Sequence, residues 1–234
     1  MSDAARRIFC ALDTTDRAGA AKLAARLAGT VGGVKLGLEF FGAHGPAGVA
    51  AVKESALPLF LDLKFHDIPN TVAGAVRAVL PLAPALLTVH ASGGRAMLEA
   101  ARDAAAHAGA SRPKIVAVTV LTSLDDGDLD AVGQRGPALD QVKRLAEIAQ
   151  RAGIDGVVCS PREVAALRAQ CGPGFLLVVP GIRPAWATAG DQKRVMTPAE
   201  AVAAGADHLV IGRPITGAPD PAEAARRIAA ELEA

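Results

Sequence analysis

Asp62, Lys64 and Asp67 lie close together in the segment D-L-K-F-H-D-I-P-N-T. Asp62 and Lys64 are two residues apart at the end of an apolar run, so on a β-strand their side chains point to the same side. Leu61 and Leu63 then point to the opposite side, toward covering helices. Such a strand places a carboxylate and an ammonium in one site, where they could exchange protons with a substrate.

Lys35 ends another apolar run and adds a second ammonium to this group. Alternating lysines and aspartates keep one another ionised by mutual attraction. A purely structural ion-pair cluster is the alternative, but burying several charges without a function costs more than apolar packing would. The pattern therefore favours a reactive site.

Eight short apolar runs, most of them rich in β-branched residues, recur along the chain and predict β-strands. The runs span residues 8–12, 33–37, 59–63, 86–90, 115–121, 156–160, 175–180 and 208–212. The stretches between them have helical spacing of apolar residues, clearest at 16–27 and 71–80. This alternation predicts a (β/α)8 TIM barrel, an α/β fold, as a single domain over residues 1–234. The absence of G-x-G-x-x-G after the first run disfavours a dinucleotide-binding open sheet.

Polar residues stand at the carboxyl end of each predicted strand, and in a barrel these ends meet at one mouth. They are Asp13, Lys35, Asp62 with Lys64, His90, Thr122, Ser160, Arg183 and Arg213. Two long connections, 122–140 and 181–198, carry Gly, Pro and charged residues and are predicted to be loops at the same mouth.

The last two strand ends carry residues suited to a phosphate. Arg213 follows Gly212, which lets a backbone N–H approach an anion while the guanidinium offers a planar pair of donors. Arg183 and Gln192, on the long seventh connection, could close over the same group. The alternative is that these are ordinary surface residues at strand ends.

Composition excludes several classes of protein. The 234 residues include 25 basic and 24 acidic ones, so no electrostatic attraction to nucleic acid is expected. No apolar stretch approaches the ~18 residues of a membrane span, and the first residues lack a signal-peptide pattern. Three widely spaced cysteines suggest neither disulfides nor a metal site, and we expect a reducing cytoplasm.

The chain resembles the orotidine 5′-phosphate decarboxylase family, in its bacterial form, over nearly its whole length. The motifs are A-L-D at Asp13, V-K-L-G at Lys35, F-L-D-L-K-F-H-D-I-P-N-T at 60–71, V-T-V-L-T-S at Thr122, V-P-G-I-R-P at Arg183, D-Q-K-R-V at Gln192 and V-I-G-R-P at Arg213. The 60–71 motif is the most specific of them.

This resemblance implies decarboxylation of orotidine 5′-monophosphate to uridine 5′-monophosphate, the last step of de novo pyrimidine synthesis, without a cofactor or metal. By the same resemblance, Lys64 protonates C6, Asp62 lies near the departing carboxylate, Lys35 holds Asp62 and a ribose hydroxyl, and Asp67 completes the catalytic set. The other implied substrate contacts are Asp13 at the ribose, Thr122 near the base, Gln192, Gly212 and Arg213 at the phosphate, Arg183 on the closing loop, and Pro180 with no more specific role. Asp67, Ile68 and Thr71 are implied to cross a homodimer interface into the partner's site.

Two other functions stay open. A metal-dependent relative of the 3-keto-gulonate-phosphate decarboxylase type shares D-x-K-x-x-D, but places an acidic metal ligand where this chain has Lys35, which repels a cation. A non-catalytic barrel that only binds a phosphoribosyl ligand would gain nothing from Lys64 aimed at the reacting carbon.

Overall fold

The eight predicted strands form one closed parallel barrel in the computed structural model, which describes residues 1–134, 136–187 and 196–233. The strands are β1 Ile8–Ala11, β2 Gly33–Gly37, β3 Leu59–Phe65, β4 Leu86–His90, β5 Lys114–Val118, β6 Gly156–Val158, β7 Leu176–Val179 and β8 His208–Ile211. Each pairs with its neighbours in sequence, and β8 closes the barrel on β1. The predicted (β/α)8 fold is confirmed.

Helices lie between the strands and cover the barrel. They are α1 Asp3–Arg6, α2 Arg17–Leu27, α3 Leu38–Lys53, α4 Pro69–Val79, α5 Gly94–Ala106, α6 Asp126–Ala131, α7 Ala138–Arg151, α8 Val164–Cys171, α9 Pro198–Ala203, α10 Arg213–Thr216 and α11 Pro221–Glu231. The helix predicted at 16–27 begins one residue later because Asp16 caps it, accepting a hydrogen bond from the N–H of Gly19. Among the described residues, no helix has the length and apolarity needed to cross a membrane.

The prediction of an uninterrupted loop over 122–140 was wrong. The segment contains α6 and the start of α7. Asp125 and Asp128 form a reciprocal capping box that offsets the unfavourable charge and glycine content of this stretch. The fifth strand also ends earlier than predicted, at Val118, so Val120 and Leu121 belong to the connection at the mouth.

The barrel interior separates into a packed lower half and a polar mouth. Below, inward-facing apolar residues form a small core of their own. They are Phe9, Ala11, Phe60, Leu86, Val116, Val178 and Val210. Phe9 meets Phe60 edge to face at 5.9 Å between ring centroids, and a side chain at Gly33 would collide with the Phe9 ring. This core closes the floor of the cavity at the strands' carboxyl ends.

Candidate active site

A cavity of about 470 Å³ opens at the carboxyl ends of the strands. Its lining includes nine of the residues predicted for the site, namely Asp13, Lys35, Asp62, Lys64, Thr122, Pro180, Arg183, Gly212 and Arg213. An apolar wall faces the charges, formed by Val118, Val120, Leu121 and Val158 among others. This wall was not predicted from the sequence, although the alternation of residues along β5 and β6 places Val118 and Val158 on the inner face.

Four charged residues form a continuous array on one side of the cavity, which we call the charge cluster: Asp13, Lys35, Asp62 and Lys64. Lys35 Nζ lies 2.9 Å from Asp13 Oδ1 and 3.6 Å from Asp62 Oδ2. Lys64 Nζ lies 2.9 Å from both oxygens of Asp62. The Lys35 and Asp62 side chains are only 10% and 12% exposed. The charge on each is therefore stabilised mainly by neighbouring protein groups and not by water.

The local backbone of β3 is irregular where it presents these groups. Leu61 pairs with Leu87 and Phe65 with Val89, so β3 uses two more residues than β4 between the same two points. Lys64 lies inside this bulge with φ of 51°, in the left-handed region that side-chain-bearing residues seldom adopt. Asp62 and Lys64 do share one side, as predicted, but by a bulge and not by simple strand alternation.

Thr88 on β4 is a further residue of this region that sequence reasoning missed. Its side chain is completely buried beneath the charge cluster and hydrogen-bonds Asp62 and the backbone of Lys64. A threonine between Leu87 and Val89 is compatible with ordinary strand propensity, so its type gave no signal. Only its inward register, shared with Leu86 and His90, pointed to the site.

The ends of β7 and β8 add two arginines to the lining of the cavity. Arg213 begins α10 directly after Gly212, and Arg183 follows β7, where its Nη1 donates to the carbonyl of Ile182. The two arginines also border a smaller adjoining cavity beside Trp186. The predicted phosphate residue Gln192 lies outside the described residues.

Trp186 fastens the first part of the seventh connection to α11. Its indole N–H donates to Glu231 Oε1 at 2.6 Å, and the Arg227 guanidinium lies 4.5 Å from the indole centroid. The connection is therefore tied to the barrel close to Arg183.

Asp67, Ile68 and Thr71 do not line the cavity of their own chain. All three are exposed at the start of α4, and Ile68 shows 66% of its surface. Asp67 Oδ1 accepts a hydrogen bond from the N–H of Ile68 at 2.7 Å. A large exposed apolar side chain beside a carboxylate is typical of an interaction surface.

Two other titratable residues at the mouth, His90 and Cys159, have pKa values shifted by burial. Burial lowers the pKa of His90, with further lowering by His66 and Lys64 against an opposing effect of Asp62. The His66 and His90 rings are 5.4 Å apart. Burial likewise raises the pKa of Cys159 well above its ordinary value, so its thiol is not a nucleophile.

The arrangement is suited to stabilising negative charge that develops between Lys64 and the apolar wall. Lys64 carries a transferable proton and Asp62 holds the ammonium in place. The arginines after β7 and β8 can bind an anionic group. Among the described residues, no three His, Cys, Asp or Glu side chains are grouped as metal ligands would be.

The chain matches the family described as "Orotidine 5'-phosphate decarboxylase / HUMPS family" over residues 6–228. The orotidine 5'-phosphate decarboxylase of Rhodospirillum rubrum is 64% identical over 230 residues, covering 96% of this chain and 93% of that protein. The protein of the same name from Moorella thermoacetica is 56% identical over 232 residues, covering 97% and 92%.

The fold agrees with these similarities. The crystal structure of orotidine 5'-phosphate decarboxylase from Lactobacillus acidophilus superposes with a TM-score of 0.87 at 39% identity, covering 98% of this chain and all of that one. The corresponding structure from Pyrococcus horikoshii gives a TM-score of 0.79 at 26% identity, covering 97% and 99%. The chain belongs to the orotidine 5'-phosphate decarboxylase / HUMPS family.

Proposed function

We propose that this protein decarboxylates orotidine 5′-monophosphate to uridine 5′-monophosphate and CO₂, the final step of pyrimidine nucleotide synthesis. The C6–carboxylate bond breaks, its electron pair stays on C6, and a proton from Lys64 replaces the lost CO₂. Membership of the family supports the reaction. The observation that carries the mechanism is the Lys35–Asp62–Lys64 array facing an apolar wall.

Asp62 is proposed to destabilise the bound carboxylate. A carboxylate about 4 Å from Asp62 is repelled by about 4 kcal/mol at an effective dielectric near 20. The repulsion disappears as the group becomes neutral CO₂, so it acts on the substrate more than on the transition state. Apolar residues such as Val118 and Val158 offer the neutral product a favourable environment.

Lys64 is proposed as the proton donor. Negative charge grows on C6 as CO₂ leaves, and an ammonium fixed beside it interacts more strongly with the transition state than with the substrate. Asp62 holds Nζ through two 2.9 Å contacts, which orients the proton before the reaction begins. Water returns a proton to Lys64 after product release.

The other predicted residues are proposed to bind the nucleotide. Asp13 and Lys35 contact the ribose, while Thr122 and Pro180 border the base. The remaining contacts are at the phosphate. Gly212 and Arg213 follow β8, Gln192 belongs to the seventh connection, and Arg183 lies near the start of that connection. Binding energy from this distant anion can be used to organise the reacting end.

Lys35 also bears on the metal-dependent alternative. Its ammonium is 3.6 Å from Asp62, where a divalent cation would have to bind in order to use that carboxylate. The repulsion between two cations at this distance disfavours metal binding. We therefore propose a reaction that uses no metal or other cofactor.

A homodimer with shared sites is proposed from the position of Asp67. Its exposure outside the cavity, beside Ile68 and Thr71, suits residues that reach a partner's site. Lys64→Ala and Asp67→Ala dimers should each be inactive, whereas random mixing should restore roughly a quarter of the sites, because one site of each mixed dimer is intact. Mixed dimers without restored activity would exclude a shared site.

The activity itself is tested with purified protein and orotidine 5′-monophosphate in EDTA, following ultraviolet absorbance and identifying the nucleotide by chromatography. Conversion to uridine 5′-monophosphate is expected. A folded protein without conversion would contradict the proposal, and conversion only after Mg²⁺ is restored would support the metal-dependent alternative. Two further statements also stay predictions: that residues 1–234 form a single domain, and that the protein is located in the cytoplasm.

A further inference from the structure

The left-handed conformation of Lys64 needs support from outside its own strand. A lysine has no local means of favouring a positive φ, unlike glycine or asparagine. The bulge also removes the Lys64 N–H from the regular ladder between β3 and β4, and a buried N–H must find another acceptor. Thr88 provides that acceptor, with its Oγ1 2.8 Å from Lys64 N.

The same hydroxyl binds the carboxylate of Asp62, with Oγ1 3.0 Å from Oδ1. The direction of both hydrogen bonds is fixed by chemistry. A backbone N–H can only donate and an ionised carboxylate can only accept, so Thr88 accepts from Lys64 and donates to Asp62. One side chain thus links the backbone of the proton donor to the carboxylate that orients its ammonium.

We propose that Thr88 is a positioning residue, which sets the Lys64–Asp62 geometry from beneath the active site. Thr88 has 0% exposure and is not among the residues that line the cavity, so it acts through Lys64 and Asp62 and does not touch substrate. The expected effect of Thr88 on turnover rests on the proposed function. Its expected effect on the positions of Lys64 and Asp62 does not.

The test compares Thr88→Val, which keeps the shape of the side chain but loses both hydrogen bonds, with Thr88→Ser, which keeps the hydroxyl. Thr119→Val is the matched control, because Thr119 is also buried and its Oγ1 donates to the Val158 carbonyl, away from the charge cluster. For Thr88→Val we expect kcat to fall about 10- to 100-fold, because misplacing a reacting group by about 1 Å can cost up to about 100-fold. Affinity for uridine 5′-monophosphate should change less than about threefold, since only the reacting geometry is altered.

Thr88→Ser and Thr119→Val should both keep kcat within about threefold of the wild-type value. Wild-type kcat in Thr88→Val, or an equal loss in Thr88→Ser or Thr119→Val, would overturn the inference. A merely structural role would lower the melting temperature without separating kcat from product affinity. If Thr88→Val does not fold, Thr88→Ala is compared with Thr88→Ser in the same way.

Crystal structures of Thr88→Val and Thr88→Ser separate this inference from the proposed function. We expect Lys64 to leave the left-handed region, or the Asp62 carboxylate to rotate away from Nζ, in Thr88→Val only. Unchanged geometry in Thr88→Val would overturn the positioning role whether or not the wild-type protein decarboxylates its substrate. A wild-type protein without turnover, combined with the expected displacement, would refute the reaction and leave the positioning role standing.

Discussion

Each end of the barrel contains ion pairs that are largely shielded from solvent, but the carboxylates in them have different additional partners. At the amino end, Asp155 precedes β6 and receives two hydrogen bonds from Arg112, at 2.6 and 2.8 Å, and one from the N–H of Ile115 at 2.8 Å. Asp207 precedes β8 and accepts one hydrogen bond from Arg168 at 2.6 Å and one from the N–H of Leu177 at 2.8 Å.

The carboxyl end uses the same kinds of groups around Asp62, with one difference. Its oxygens are held by Lys35, Lys64 and Thr88, yet the array faces a cavity of about 470 Å³. The amino-end carboxylates instead bind the backbone N–H of a neighbouring strand, so they fix strand to strand. A carboxylate whose hydrogen bonds all go to protein groups links parts of the fold, whereas charged groups that face a cavity can also interact with a substrate.

Replacing a lysine at each end should give the largest contrast. Lys64→Ala removes the proposed proton donor and the fixed positive charge, and we expect kcat to fall about 10⁴-fold with a modest loss of affinity for uridine 5′-monophosphate. Lys114→Ala is the matched control, since Lys114 lies 3.5 Å from Asp155 at the amino end and is well exposed. Steady-state kinetics of both variants checks this. Similar turnover in the two variants would remove Lys64 as the acid.

The reverse contrast is expected for stability. Asp155→Asn leaves Arg112 without its counter-ion, and we expect the free energy of unfolding to fall by about 2 kcal/mol, with kcat unchanged. Glu147→Gln is the control, because the exposed Glu147–Arg151 pair should contribute less than about 0.5 kcal/mol. Urea denaturation monitored by circular dichroism measures both values. A loss of turnover in folded Asp155→Asn would show that the two ends are coupled.

The Asp155 contribution should also depend on pH. Burial alone would raise the pKa of this carboxyl, but the hydrogen bonds from Arg112 and Ile115 outweigh it and lower the pKa below the ordinary 3.8. A lowered pKa stabilises the fold above the unfolded-state value, and this stabilisation is lost as the pH falls through the folded-state value. The stability difference between wild type and Asp155→Asn should therefore be constant from pH 7 to 5 and shrink below pH 3.8. A difference that persists undiminished at pH 3 would contradict the assignment.

Most of the barrel could be predicted from the sequence because its signals are local. The strands are short apolar runs, and Asp62 and Lys64 stand out because charged residues interrupt one of them. The amino-end ion pairs are also accompanied by a repeated sequence pattern, which was not used in the prediction. R-A-G-I-D-G at 151–156 and A-A-G-A-D-H at 203–208 place the same glycine and aspartate before β6 and β8.

The bulge at Lys64 could not be predicted, because nothing local requires it. A lysine gives no indication of a positive φ, and the group that accepts its N–H is on a strand 24 residues away. The helix at 126–131 was missed for a related reason, since its capping box offsets a composition typical of loops. Structure that depends on tertiary contacts or on paired caps is not visible in hydrophobic periodicity.

Adding one methyl group at Gly37, a glycine at the mouth, is the smallest substitution that we expect to affect catalysis. A methyl group at Gly37 would lie 3.1 Å from Lys35 Nζ and 3.6 Å from Asp13 Oδ1, so Gly37→Ala must displace the lysine by a few tenths of an ångström. We expect kcat/KM to fall about three- to tenfold because Lys35 then holds Asp62 less well. The backbone at Gly37 has φ of −102°, which any residue adopts, so stability should change little.

Gly42→Ala in α3 is the control for this substitution, because a methyl group there meets nothing within 4 Å. It should leave kcat/KM at the wild-type value and, in a helix, raise stability slightly. Comparing the two variants shows how strongly kcat/KM depends on the exact position of Lys35 in the charge cluster. Equal kcat/KM in the two variants would mean that the Lys35–Asp62 distance can vary without cost, and the carboxyl end would then resemble the amino end in needing only charge balance. A selective loss in Gly37→Ala would show that the reaction depends on position as well as on charge.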